Sequence, residues 1–276
     1  MSHNFPAWFI SYGVRAALIL ILSLDAQSAS SGPQQQPAET TRCGSLPVDI
    51  PHEEVLRNVC QYAVTVPERM PNFTCQQETS RLLGGAVVQA DTITGVVTYE
   101  DGKESYKDVK RNGRPVIGDA PLEGAWSAGQ FGSDLQSIFD GHNKVEFQFV
   151  GEKKIEGRQA WGFTYRIAHQ DVPLWRLHVQ NHIVAPPYYG KLWIDQQSGL
   201  ILRLQVEASE IPLSFPMRDA KLEIDYESVL FTDGTRFVLP VRSELNSIES
   251  DGVSVRNIQR FQKCRKFGAT SRIVPQ

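Results

Sequence analysis

Between Tyr189 and Glu227 the chain runs through three stretches of alternating apolar and polar residues, and no other feature limits its fold so tightly. Side chains on a strand switch faces at every residue. Leu192 and Ile194 therefore share one side of a first strand, while Leu200, Leu202, Leu204 and Val206 line one face of a second with Arg203, Gln205 and Glu207 opposite. Leu222, Ile224 and Tyr226 repeat the pattern against Lys221, Glu223, Asp225 and Glu227. Such a text describes an antiparallel sheet with one apolar and one wet face. It contains no arrangement of groups that names a reaction.

The flanking sequence extends the sheet. Phe73 to Leu83, Val87 to Tyr99 and Lys103 to Arg111 read as strands separated by Gly84-Gly85 and Asp101-Gly102, and Asn112-Gly113 closes the next turn. Val145 to Ile155 and Ala160 to Ala168 form a further hairpin around Glu156-Gly157-Arg158. Arg236 to Ser250 and Val253 to Phe267 follow, and residues 169–187 admit either a strand with loops or a flap. Two segments break the two-residue period. Leu56, Val59, Cys60 and Ala63 have helical spacing in a segment that starts near Pro51 and is expected to end at Pro67 and Pro71. Trp126 precedes a second expected helix, Gly129 to Phe139, which carries Phe131, Leu135 and Phe139. The fold expected from these periods is mainly β (α+β): a long antiparallel meander that curls over two or so helices.

Arg15, the apolar run Ala16 to Leu24 and the small residues at Ala26 to Ala29 have the layout of a secretory signal peptide, residues 1–29; an uncleaved anchor is the alternative. Residues 30–50 are expected to be a disordered Ser/Gln/Pro-rich linker, and residues 51–276 a single half-barrel-like β domain. Cys43, Cys60, Cys75 and Cys264 are an even set in an exported chain, which suggests disulfides. Four cysteines allow three pairings; Cys60 with Cys75 and Cys43 with Cys264 is the expected one.

The 276 residues carry a net charge of −3, which gives no electrostatic footprint for nucleic acid. No phosphate-binding glycine loop, zinc-protease helix or nucleophile elbow occurs. His178 and His182 have the i, i+4 spacing of two metal ligands on a helix, but Pro173, Pro186 and Pro187 disfavour a helix there, so no metal or cofactor is expected. Asp195 precedes Gln-Gln-Ser-Gly, where a hydrogen bond to the turn backbone with Gly199 at positive φ explains it without catalysis. Asn72-Phe73-Thr74 matches a glycosylation acceptor.

The run Gly190–Ala208 (GKLWIDQQSGLILRLQVEA), followed by Glu210–Val229 and Asp233–Glu244, resembles the back half of the LolA-like superfamily of outer-membrane lipoprotein-sorting proteins. Together with Met70–Arg81 (MPNFTCQQETSR) it is similar to a group of exported bacterial half-barrel proteins associated with that superfamily. The resemblance implies a meander curled into an unclosed half-barrel, with helices covering its concave face, and an apolar cavity for lipid or lipoprotein acyl chains. A hydrophobic pocket would then draw on Phe131, Leu135, Leu192, Ile194, Leu202, Leu204, Leu222, Ile224, Phe237 and Leu239. The expected function is non-enzymatic binding of a hydrophobic ligand in the periplasm or cell envelope, with at most peripheral membrane contact. The alternative is an envelope protein-interaction or sensor module using the sheet face or edge, its apolar face being plain core. A hydrolase built on His178, His182 or Asp195 is the remaining class.

Overall fold

The computed structural model describes residues 43, 46, 49–84, 89–116, 129–179 and 181–267; the expected signal segment, most of the linker and Trp126 lie outside them. Among the described residues two helices, α1 (Glu53–Arg69) and α2 (Ser133–Phe139), accompany thirteen strands. The strands are β1 (Phe73–Leu83), β2 (Gln89–Glu100), β3 (Lys103–Arg111), β4 (Arg114–Pro115), β5 (Glu146–Ile155), β6 (Arg158–Ile167) and β7 (Leu177–Val179). The rest are β8 (His182–Val184), β9 (Tyr188–Asp195), β10 (Ile201–Ala208), β11 (Met217–Leu230), β12 (Arg236–Glu249) and β13 (Ser254–Lys266).

Eleven strands form one antiparallel sheet in the order β4-β3-β2-β1-β13-β12-β11-β10-β9-β6-β5, and β7 pairs only with β8. The sheet does not close on itself: β4 and β5 are its two edges. The result is the unclosed half-barrel that the resemblance implies. The meander has a seam, however. β1 pairs along its length with β13, from Phe73 opposite Lys266 to Leu83 opposite Val255, so the two ends of the sheet-forming chain meet in the middle of the sheet.

That seam overturns the expected disulfide pairing. Cys75 bonds Cys264 directly across β1 and β13, with Cα atoms 4.1 Å apart, and Cys43 bonds Cys60 on α1. Cys43 and Leu46, within the expected linker, are thereby held in the core beside the helix.

Both expected helices form, with altered limits. α1 does not stop at Pro67 but runs on to Arg69; a proline in the last turn deprives the helix of a single backbone bond. α2 is shorter than Gly129 to Phe139. Residues 130–132 are a turn rather than helix, and the backbone N–H groups of Gly129 and Phe131 donate to the Glu104 carboxylate on β3, each at 3.0 Å. No helix among the described residues is long and apolar enough to cross a membrane.

The main core lies between the two helices and the inner face of β5, β6 and β9 to β12. Leu56, Val59, Cys60 and Ala63 of α1 and Leu135, Ile138 and Phe139 of α2 pack on Phe163, Tyr188, Leu192, Leu204 and Ile224. Gly190 makes one contact possible: a Cβ there would overlap the Gln205 carbonyl oxygen, to which the Tyr165 hydroxyl donates at 2.8 Å. A second, aromatic core of Phe73, Tyr99, Phe131, Phe231 and Phe261 fills one end of β1, β2 and β13.

Candidate functional site

The inner face of the sheet is not uniform, and its composition decides where a ligand could sit. Toward the other end of β1, β12 and β13 it carries Gln77, Thr79, Ser243, Ser247, Asn257 and Gln259, all buried. Gln130 reaches onto this polar floor, its Nε2 donating to Gln259 Oε1 at 3.2 Å. At its margin the buried Asp91 accepts from Arg81 and from Arg111, which links β1, β2 and β3 and holds the Asp91 carboxyl below its usual range.

The ten residues expected to line a pocket fall into three groups. Leu135, Leu192, Ile194, Leu204, Leu222 and Ile224 come together in the main core, each 3% exposed or less. Phe131 and Leu239 belong to the aromatic core, and Phe237 packs on its margin. Leu202 is on the opposite side of the sheet with Ile155, Ala160 and Trp193. The alternation fails there because β10 has a bulge between Ile201 and Arg203: Ile201 takes the inward position and Leu202 turns out.

A cleft of about 590 Å³ opens between α1 and the β11–β12 hairpin. Its walls include Tyr62, Val64, Met70, Leu200, Phe237 and Val238, with Asn58, Gln61, Thr65, Arg69, Ser228 and Arg236 completing the lining. Phe237 is the one expected pocket residue in it. Asn58, Gln61, Tyr62, Thr65 and Arg69 fall at i, i+3, i+4, i+7 and i+11, a single stripe beside the one that enters the core. Tyr62 fixes the helix over the sheet: its ring packs against both cores and its hydroxyl donates to the Val238 carbonyl at 2.8 Å. Burial drives the Tyr62 pKa well above the usual phenol value, so the hydroxyl stays a donor at any physiological pH. A stripe of Asn, Gln, Tyr, Thr and Arg reads in sequence as a solvated helix face. Only the neighbouring Phe237 and Val238 turn it into a wall.

A larger groove, about 920 Å³, lies above Gly190 and is bordered by Arg166, Lys191, Glu207 and Lys221. The ion pair of Lys221 with Glu207 at 2.6 Å and the Tyr189 hydroxyl bond to Glu207 already occupy much of its polar rim.

The other candidate residues have structural surroundings. His178 and His182 are exposed on the two strands of the β7–β8 hairpin, and the pairing sets His182 across from Val179. Among the described residues, no group of three His, Cys, Asp or Glu could hold a metal ion. Asp195 caps the β9–β10 turn: its Oδ2 accepts from the Ser198 N–H at 2.8 Å and the Ser198 hydroxyl at 2.6 Å, and Gly199 has φ 69°. Burial opposes ionisation of Asp195, but Arg158 and Ser198 outweigh it and keep the carboxyl below its ordinary range. Gln170 ties Trp175 to Pro186: its amide donates to the carbonyls of both and accepts from the Trp175 N–H. No periodicity marks that residue.

No protein-family profile and no curated protein matches the chain. Solved structures similar to it include a DUF1329 family protein from Desulfovibrio piger, at 12% identity and TM-score 0.40, covering 78% of this chain and 95% of that one. A LolA superfamily protein from Nitrosomonas europaea has 9% identity and TM-score 0.35, covering 77% and 94%. The lipoprotein LppX from Mycobacterium tuberculosis has 10% identity and TM-score 0.29, covering 76% and 94%.

Proposed function

We propose that this is an exported, non-enzymatic cell-envelope protein that binds a hydrophobic ligand, a lipid or lipoprotein acyl chain, in the cleft between α1 and the β11–β12 hairpin. The observation that carries the reading is the cleft itself. Its volume, about 590 Å³, is in the range of small-molecule sites, and apolar side chains from a helix and a sheet converge on it. The half-barrel supplies the framework, but its interior is filled where the helices cover it; the vacancy is at the side of the roof. Two disulfides suit an oxidising compartment, in line with the signal-like N-terminal sequence.

Pairing of a partner strand at a sheet edge is a weaker reading. Edge strand β5 exposes Glu146, Glu152, Lys153 and Lys154 and is interrupted by a bulge before Gly151, features that discourage strand addition. The opposite edge, β4, has two residues.

Lipid extraction from natively purified protein, with titration by a fluorescent fatty acid, tests the proposal. Saturable binding that Val64→Trp weakens at least about tenfold is expected, since the larger ring fills the cleft. Absence of both copurifying lipid and saturable binding overturns it.

A further inference from the structure

We infer that the ligand of this cleft is an anionic lipid, whose carboxylate or phosphate is held at the rim by Arg69 and Arg236. The inference rests on the cleft being the ligand site and specifies what enters it. Arg69 is the last residue of α1 and Arg236 the first of β12; both are exposed, and both border the same apolar walls. Among the described residues they are the only charged ones in the lining.

Several other arginines of the chain are engaged by carboxylates. Arg81 and Arg111 are spent on Asp91, Arg158 on Asp195, Arg203 and Arg242 on Asp225, and Arg256 on Glu244. The carboxylate on the β11–β12 turn near Arg236 is also taken: Asp233 accepts from Lys266 at 2.7 Å and from Thr235. Among the described residues, neither Arg69 nor Arg236 has an ion-pair partner. Two guanidinium groups beside an apolar trough give local charge complementarity to an amphiphile with an anionic head. They disfavour a cationic head and offer a neutral one no comparable gain.

The geometry also orders the ligand. The α1 wall from Asn58 to Arg69 is about 16 Å long at the rise of an α-helix. With Arg69 at the end of the helix, the acyl tail runs back along the stripe toward Asn58, over Tyr62 and against Phe237 and Val238. The head remains at the mouth, in water, where the arginines reach it.

Dodecanoate, dodecan-1-ol and dodecyltrimethylammonium, competed against a fluorescent fatty acid, distinguish the head from the tail. Dodecanoate is expected to bind about fivefold tighter than the alcohol, a modest factor because the arginines are exposed, and the trimethylammonium compound weakest. The double variant Arg69→Gln/Arg236→Gln should remove the preference for dodecanoate, lowering its affinity to that of dodecan-1-ol. Equal binding of dodecanoate and dodecan-1-ol to the native chain overturns the anionic-head assignment while the cleft stands. Loss of dodecanol affinity in the double variant to the same degree as dodecanoate also overturns it, because the arginines then serve the fold. Failure of all three compounds to bind overturns the cleft reading as well.

Discussion

Asp134 opens α2 with only 5% of its surface exposed, and its Oδ2 has no hydrogen-bond partner among the described residues. Burial raises its pKa well above the ordinary carboxyl value, and the charge of Glu104 adds to the effect. A carboxyl whose folded-state pKa is raised holds a proton that the unfolded chain gives up. Its contribution therefore favours folding at low pH and is lost as pH climbs above about 4, the ordinary Asp value. Asp91 and Asp195, held low by their arginines, work in the opposite sense, and their contribution disappears as pH falls. Asp134→Asn should consequently raise the urea midpoint at pH 8, by about 1 kcal/mol in unfolding free energy, and have a smaller effect at pH 4.5. A variant less stable than the native chain at pH 8 would mean that Asp134 is ionised and paired in the folded protein. Asp134 follows Ser133 in an unremarkable polar pair, and only the packing of α2 on the sheet reveals that it is buried.

Among the elements, the seam between β1 and β13 is the feature most dependent on distant sequence. The strands themselves were legible: Phe73 to Leu83 and Lys103 to Arg111 are found with the limits that alternation and turn residues predict. Their pairing was not, because alternation fixes which residues share a face and leaves the neighbouring strand unspecified. This is also why the cysteines were mispaired. The outer face of the central strands adds an ion-pair ladder from Arg203 through Asp225, Arg242 and Glu244 to Arg256, which crosses β10 to β13 and pins their register. The two disulfides should differ in worth. Cys75–Cys264 closes 189 residues and Cys43–Cys60 closes 17, so chain entropy assigns them about 5 and about 3 kcal/mol. Urea unfolding of the Cys75→Ala/Cys264→Ala and Cys43→Ala/Cys60→Ala variants checks the order. A greater loss from the second pair would show that the seam is stable without its crosslink.

At the scale of the molecule, an open sheet has more inner face than two helices can cover, and the chain meets that excess in three ways. α1 and α2 fill the middle with side chains, the aromatic core of Phe73 and Phe131 fills one end, and a polar floor occupies another part. The cleft beside α1 is where helix and hairpin stand apart. Sequence patterning found the apolar faces and the curled sheet but placed the vacancy under the roof, at Leu204 and Ile224, because hydrophobicity does not distinguish a packed face from a lined one. A methyl NMR titration with a spin-labelled fatty acid makes that distinction directly. Signals of Val64, Met70, Leu200 and Val238 are expected to broaden in a saturable manner while those of Leu192, Leu204 and Ile224 remain sharp. Broadening centred on Leu204 and Ile224, or no saturable broadening at all, would contradict it.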